Sequence, residues 1–178
     1  MITSLLLGLA LAPLPPRVNL MINIADRVMV ERTDRWFMDG QWDHSIQSLD
    51  FRRAMFPDDY DVVTDYGFLL ENSGEGERAL KAYREFAVAA PSDKDRLLPE
   101  ASYWFKMKNY ARLIEMLPAT LSAKPHPNHY RMLYISYEKT GKLKEAVAIC
   151  ERLLADYPDD LAAKAKLDGL RKKIAEKS

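Results

Sequence analysis

Two histidines downstream of the chain's midpoint are the residues best placed to bind a metal ion. His126 and His129 are separated by Pro127 and Asn128. Two imidazoles at this spacing could share a zinc ion, but zinc needs further nitrogen, sulfur or carboxylate ligands. No cysteine or acidic residue adjoins the pair, and the third histidine, His44, is far away in the sequence. The pair is therefore interpreted as part of a hydrated turn, and we predict no metal site.

Two Pro-Asp-Asp clusters, residues 57–59 and 158–160, carry side chains that calcium prefers. They lack the alternating ligands of a calcium loop of about 12 residues, and acidic residues at such places instead cap the next helix. The single cysteine, Cys150, lies in the apolar run 146–150 and is predicted to be a buried, unreactive thiol. The sequence contains no glycine-rich phosphate loop and no nucleophile elbow, so we predict no catalytic residue and no cofactor.

The composition is that of an ordinary folded protein. Hydrophobic residues make up 48% and charged residues 29% of the 178 positions, which argues against a disordered chain. The net charge is zero and the aromatic residues are not interleaved with basic ones, so nucleic-acid binding is not expected. The charge is uneven, because residues 26–93 carry 8 basic and 15 acidic residues whereas residues 94–178 carry 17 and 11. Weak head-to-tail self-association is the resulting hypothesis, which an unchanged monomer at low and high salt would contradict.

Residues 1–16 form an apolar leader and a candidate signal peptide. Its core, residues 5–12, is too short to span a bilayer, which takes about 20 residues. It has the length of a signal-peptide core, and Ala10-Leu11-Ala12 resembles a cleavage site, although no Lys or Arg precedes it and Pro13 follows. We predict export to a periplasmic or extracellular location, with a cytoplasmic protein as the alternative. Membrane contact is expected only through an uncleaved leader.

A repeat with a period of 33–34 residues runs through the rest of the chain. Four prolines mark it, Pro57, Pro91, Pro125 and Pro158, at spacings of 34, 34 and 33 residues. A glycine lies 17 residues before three of these prolines, and Lys108 takes its place in the third unit. A fixed period of this length is typical of stacked helical hairpins, in which glycine ends the first helix and proline stops the second. The four units are residues 26–59, 60–93, 94–126 and 127–160.

The repeat resembles the tetratricopeptide repeat (TPR) family. The match is carried in the last unit by Tyr130, Leu133, Tyr137, Ala146 and Pro158, and in the second by Gly67, Leu70, Ala79, Tyr83, Phe86 and Pro91. The resemblance covers residues 26–160 and implies an all-α fold, a right-handed α-solenoid of about four TPR helical hairpins plus a capping helix over residues 161–176. The TPR domain is expected to span residues 17–178. The signature residues pack neighbouring helices together and are interpreted as core rather than as a binding site.

The third unit is irregular. Pro99 falls where its first helix should be under way, and Pro118 falls inside its second. Proline within a helix costs about 3 kcal/mol, so we predict a helix that begins near Pro99 and another that breaks near Leu117. Residues 94–126 are hypothesised to be the most mobile joint of the repeat. Upstream, residues 17–38 are predicted to be helical, although the apolar alternation near their start also fits an extended segment.

The resemblance also implies where a partner would bind. TPR proteins use the concave surface formed by the first helix of each hairpin, and the repeat register gives the inward-facing positions. These are Arg27, Val30, Asp34, Phe37, Asp61, Thr64, Phe68, Glu71, Leu98, Ser102, Phe105, Asn128, Arg131, Ile135 and Glu138. An apolar stripe flanked by charges suits an extended peptide or an amphipathic helix. The clamp by which some TPR domains grip a chaperone tail would begin at Val30 and Asp34, so such a tail is not expected.

The leading hypothesis is a non-enzymatic scaffold or adaptor that binds another protein or a peptide in this groove. Two alternatives stay open: an accessory subunit of an enzyme, and a structural protein that self-associates. A cleft with three or more converging ionisable groups and shifted pKa values would favour the enzymatic alternative. The groove could also be covered by residues 17–25 or by a second copy of the chain.

Overall fold

Helices account for most of residues 15–176, the part of the chain that the computed structural model describes. Nine α-helices and one 3-10 helix occupy this range, which contains no strand. The α-helices are α1 (Pro16–Met38), α2 (Trp42–Met55), α3 (Tyr60–Asn72), α4 (Gly76–Ala89), α5 (Leu98–Lys106), α6 (Tyr110–Met116), α7 (Pro127–Lys139), α8 (Leu143–Asp156) and α9 (Leu161–Ala175), and the 3-10 helix is Pro118–Ala123. The all-α fold of helical hairpins predicted from the repeat is confirmed.

The core of the apolar leader, residues 5–12, and its candidate cleavage site lie outside the described residues. The first described helix, α1, begins at Pro16, where proline fits because the first turn of a helix needs no N–H partner. The helix predicted over residues 17–38 is confirmed, and the extended alternative for its start is wrong. None of the helices between residues 15 and 176 combines the length and apolar character that a membrane crossing requires.

The described part of the chain divides into two compact units, with the boundary between residues 48 and 49. In the first, α1 meets the start of α2 through small polar side chains. Thr33 is buried and hydrogen-bonds Ser48 Oγ at 2.7 Å, while Ser45 Oγ donates to the Thr33 carbonyl at 3.2 Å. These short side chains let the two helices approach closely and leave no buried hydroxyl of the three without a partner.

The turns inside the hairpins follow the register of the repeat. Gly40, Gly74 and Gly141 lie in the left-handed region with φ of +71°, +80° and +79°, and Lys108 adopts the same conformation with φ of +56°. Glycine reaches this region freely, whereas a residue with a Cβ pays about 1–2 kcal/mol there. The turn role predicted for the glycines is confirmed, and the third hairpin makes the same turn with a strained lysine.

Close approach of α3 and α4 depends on Gly67. A Cβ at this position would overlap the ring of Tyr83, whose hydroxyl donates to Glu71 Oε1 at 2.7 Å. Ala146 is likewise fully buried, and so is the Cys150 thiol in the same core cluster. Burial raises the pKa of Cys150 to about 12, so the predicted inert packing thiol is confirmed.

Both predicted irregularities of the third hairpin are present. Helix α5 begins at Leu98, one residue before Pro99, and α6 ends at Met116, after which Pro118 opens the 3-10 helix. The two α-helices have 9 and 7 residues, against 13 or 14 in the hairpins on either side. Short helices contain fewer backbone hydrogen bonds that are shielded from solvent, so they open more easily. The greater mobility of residues 94–126 stays a prediction.

Helix α9 covers the end of the last hairpin, as expected of a cap. Its buried residues are Ala163, Leu167 and Leu170, which join the core cluster of α5–α8. Leu161, the first residue of the helix, is 75% exposed and does not contribute to this cover. The acidic clusters cap helices as predicted, since Asp59 accepts the Val62 N–H at 3.0 Å.

Candidate partner-binding surface

A cavity of about 320 Å³ opens between α5 and α7. It is lined by Ser102, Phe105 and Lys106 from α5 and by Asn128, Arg131, Met132 and Ile135 from α7. Five of these seven residues are among the fifteen positions implied by the TPR resemblance. Lys106 and Met132 are the two that the repeat register omits. Each adjoins a predicted residue in the sequence, so a wider window around each position would have included them.

Helix periodicity brings these side chains to one surface. Asn128, Arg131 and Ile135 are spaced by three and four residues, and so lie along one face of α7. Ser102 and Phe105 do the same on α5. The start of α7 is fixed by Pro127 in its first turn and by His126 Nδ1, which accepts the Asn128 N–H at 3.2 Å.

Arg131 is held in place at the rim of the cavity. Its guanidinium donates to Asp160 Oδ2 at 2.6 Å and to Asn128 Oδ1 at 3.0 Å. Asp160 also caps α9 by accepting the Ala163 N–H at 2.9 Å. That backbone hydrogen bond, helped by the Arg131 charge and opposed by burial, holds the pKa of Asp160 below its usual range. Arg131 thus ties α7 to the cap while one side of it faces the cavity.

Two glutamates of the predicted surface are also tied into ion pairs. Glu71 of α3 accepts from Lys106 Nζ at 2.7 Å. Glu138 of α7 accepts from Lys166 and Lys173 of α9 at 2.5 and 2.6 Å. Burial works against the charged form of Glu138, but the hydrogen bonds from both lysines outweigh it and lower its pKa. These glutamates link neighbouring helices through ion pairs, so their carboxylate oxygens are largely occupied and not available to a partner.

The remaining predicted positions fall into three groups. Arg27, Val30, Asp34 and Phe37 lie on α1 in the first unit, and all but the half-buried Val30 are exposed. On α3, Asp61 is exposed, Thr64 is half-buried and Phe68 is 50% exposed. Leu98 is a correction, because it is 8% exposed and packs in the core cluster, so it presents no side chain to a partner. Leu98 is the first residue of α5, where packing against the core cluster buries it.

The segment suggested as a cover for the groove, residues 17–25, belongs to α1. Its apolar side chains Leu20 and Ile24 are mostly exposed to solvent. Coverage by a second copy of the chain stays a hypothesis.

The interpretation of the histidine pair as a hydrated turn is wrong for His129. Its side chain is fully buried, with Nδ1 at 3.0 Å from Thr120 Oγ1 and Nε2 at 3.3 Å from Asp95 Oδ1. Nε2 has no hydrogen-bond partner among the described residues, and burial lowers the pKa of His129 to about 4 despite the nearby Asp95. His126 is exposed instead. Asp95 lies far upstream in the sequence, so no local pattern indicated this contact.

Thr120, His129 and Asp95 are the residue types of a nucleophilic triad. Thr120 is buried, however, and its hydroxyl lies 2.8 Å from the Leu117 carbonyl, to which it donates. The group joins the 3-10 helix to the start of α7. Within residues 15–176, no set of three or more His, Cys, Asp or Glu side chains is arranged to hold a metal ion.

Ionisable groups also converge on a cavity of about 220 Å³ lined by parts of α2, α3 and α4. Arg53 pairs with Asp50 at 3.0 Å and with Glu85 at 2.6 Å, and Arg78 donates to the Tyr66 hydroxyl at 3.0 Å. Burial opposes these charges, but the hydrogen bonds prevail, lowering the pKa of Asp50 and raising that of Arg53. A general acid or base needs a pKa near the working pH, and these shifts lead away from it. The cluster therefore meets the criterion of converging ionisable groups with shifted pKa values, and the enzymatic alternative stays open, but the shifts of Asp50 and Arg53 strengthen ion pairs rather than prepare a group for proton transfer.

No family model and no curated protein sequence matches the chain. Solved structures do. MamA from Desulfovibrio magneticus RS-1, from residue 41 to its end, gives a TM-score of 0.63 at 16% identity over 84% of this chain and 85% of that chain. A crystal structure of MamA gives 0.62 at 16% identity over 85% and 86%, and MamA of AMB-1 gives 0.60 at 14% over 86% and 84%. This chain therefore has the helical-hairpin fold seen in MamA, and identity this low shows the fold alone.

Proposed function

We propose that the protein is a scaffold of the TPR type that binds another protein, by docking a peptide or helix on the surface between α5 and α7. The supporting observation is the meeting of five register-predicted residues at one cavity. Apolar side chains line it together with two cations, a hydroxyl and an amide. Its volume lies at the lower end of the range for ligand pockets, which suits a few side chains of an extended segment.

The surface beside the cavity supports the same function. Phe68 on α3 is a large apolar side chain left half exposed, and the Glu71–Lys106 pair links α3 to the cavity rim. Exposed aromatic residues next to a rimmed cavity are typical of protein interfaces. The proposed scaffold has no catalytic step, and the ion pairs and hydrogen bonds within both clusters of ionisable residues support a structural role for them.

Crosslinking followed by affinity capture from the producing cell tests this function. Phe105→Glu places a charge on the apolar lining and should remove the partners captured by the wild type. Phe51→Glu is the matched control, because it changes the same residue type at a position on α2 that is 55% exposed and does not line this cavity. Capture of the same partners by Phe105→Glu and the wild type would contradict the function. Circular dichroism of both variants establishes that they are folded.

Export and weak self-association belong to the same proposal. The composition of residues 5–12 supports export, and the uneven charge of the two halves supports self-association. Fractionation of the producing cell should find a shortened protein outside the cytoplasm. Full-length protein in the cytoplasm would contradict export.

A further inference from the structure

An ion pair between the same two repeat positions joins α3 to α5 and α7 to α9. Glu71 is the twelfth residue of its repeat, and it pairs with Lys106, the thirteenth residue of the next repeat, at 2.7 Å. Two repeats later, Glu138 is again the twelfth residue, and it pairs at 2.6 Å with Lys173, the thirteenth residue counted from residue 161. The same two repeat positions therefore form the same ion pair on both sides of the α5–α7 seam, by which we mean the line along which α5 and α7 meet.

At the α5–α7 seam itself the ion pair is missing. The twelfth position is Phe105 instead of glutamate, whereas the thirteenth position of the following repeat is still a lysine, Lys139. Lys139 is exposed, and it forms no ion pair with any residue between 15 and 176. The cavity lined by Phe105 lies at this interruption. If the recurring ion pairs are called a ladder, the seam keeps the lysine of the ladder and has an aromatic ring in place of its carboxylate.

On the surface around the seam, the cationic side chains are exposed to solvent and their carboxylate partners are largely buried. The Glu71 and Glu138 side chains are each 12% exposed, whereas their partners Lys106 and Lys173 are each 55% exposed. The Asp160 side chain is 8% exposed beneath Arg131 at 38%. No acidic residue lines the cavity, but Lys106 and Arg131 do. A partner approaching this surface meets positive charge and an apolar cavity.

We infer that the α5–α7 seam binds a peptide segment of a partner protein that carries an acidic side chain next to a large apolar one. The apolar side chain enters the cavity over Phe105 and Ile135, and the carboxylate pairs with Lys139, completing the interrupted ladder from outside. Long-range attraction comes from Lys139 and from the net positive charge of Glu138 with its two lysines, because Asp160 and Glu71 balance the charges of Arg131 and Lys106. Such attraction speeds association more than it strengthens binding. This inference rests on the proposed function, and it adds the chemistry of the partner.

Selection from a random peptide library displayed on phage, against the immobilised full-length chain, tests the inference without knowledge of the partner. The expected result is enrichment of peptides with a net negative charge and a Phe, Leu, Ile or Met beside an Asp or Glu. Binding of a synthetic selected peptide should weaken when salt rises from about 0.1 M to about 1 M, which shortens the Debye length from ~10 to ~3 Å.

Two variants identify the groups involved, with one matched control. Lys139→Glu should weaken the selected peptide about three- to tenfold, since an exposed attraction becomes a repulsion. Lys144→Glu makes the same charge change at an exposed position on α8 and should leave the affinity for the peptide unchanged. Phe105→Glu supplies the missing carboxylate from within the chain, and should abolish binding. Because Lys139 is exposed, its variant stays folded even if loss of the Phe105 ring destabilises α5.

The outcomes separate the two levels of the hypothesis. Peptides that require Phe105 but show no acidic preference, or that bind Lys139→Glu as well as the wild type, overturn the inference and leave the proposed function standing. Peptides that bind folded Phe105→Glu as well as the wild type overturn both, and so does a selection that enriches no sequence. Enrichment of basic peptides overturns the inference outright.

Discussion

Mild acidification should destabilise the second unit through one buried side chain, His129. The imidazole is fully buried, where its Nδ1 faces Thr120 and its Nε2 lacks a hydrogen bond within the described residues. Burial disfavours the imidazolium and lowers the pKa to about 4, with His126 acting in the same direction and Asp95 and Asp93 opposing it. In the unfolded chain the same histidine titrates near 6.5.

The direction and size of the effect follow from these two values. Below pH 6.5, His129 binds a proton in the unfolded chain, whereas in the folded chain it stays neutral down to about pH 4. The free energy of unfolding therefore falls as the pH drops through this window. The full loss is about 3 kcal/mol, and about 2 kcal/mol of it occurs between pH 7.5 and pH 5. Carboxylates with lowered pKa values, such as Glu138 and Asp160, lose their contributions mainly below this range.

Urea unfolding at a series of pH values between 7.5 and 5 measures the loss. His129→Gln removes the titrating group, so its stability should be lower at pH 7.5 but almost independent of pH above 5. His44→Gln removes an exposed histidine and is the matched control, which should keep the wild-type pH dependence. Nuclear magnetic resonance of the histidine ring protons gives the pKa of each histidine directly, and the variants assign the signals.

One result would refute the reasoning. If protonated His129 instead forms a strong ion pair with the Asp95 carboxylate, which lies 3.3 Å from Nε2, the pKa of His129 in the folded chain would lie at or above 6.5. Stability would then stay level or rise as the pH falls from 7.5 to 5. Equal pH dependence of the wild type and His129→Gln would likewise show that burial does not control this histidine.

Three further changes test the packing of the repeat. Gly67→Ala should lower the free energy of unfolding by about 1–3 kcal/mol, because the added Cβ overlaps Tyr83. Gly169→Ala should raise it by about 0.5–1 kcal/mol, because the added Cβ meets no atom within 4 Å. Urea unfolding of both variants measures the contrast. Lys108→Gly should stabilise the fold by up to about 1 kcal/mol, and an unchanged urea midpoint would contradict strain at φ of +56°. Amide hydrogen exchange should be fastest in the second unit across residues 94–126, and uniform protection would contradict that joint.

The sequence by itself determined the helices and their turns, because these depend on residues close together in the chain. Glycine at position 141 ends a helix through its own conformational freedom, and Pro118 breaks α6 by removing a backbone donor. The period of the prolines counts the hairpins, and Asp59 and Asp160 cap the helices that follow them. Five residues of the candidate surface were predictable for the same reason, since side chains at helical spacing share a face wherever the helix is placed.

The tertiary structure alone decided which of those faces stays open and what charge it shows. Leu98 was predicted on the surface and lies in the core, because the packing of neighbouring helices decides which side chains of α5 are buried. His129 meets Asp95 across 34 residues and Lys106 meets Glu71 across 35, and no local pattern specifies which of many lysines pairs with which glutamate. Ion pairs across a stack depend on the rotation and spacing of neighbouring helices, which the packing of the apolar core sets. The sequence therefore located the hairpins, whereas their stacking placed the carboxylates under the cations and left the seam at Phe105 open.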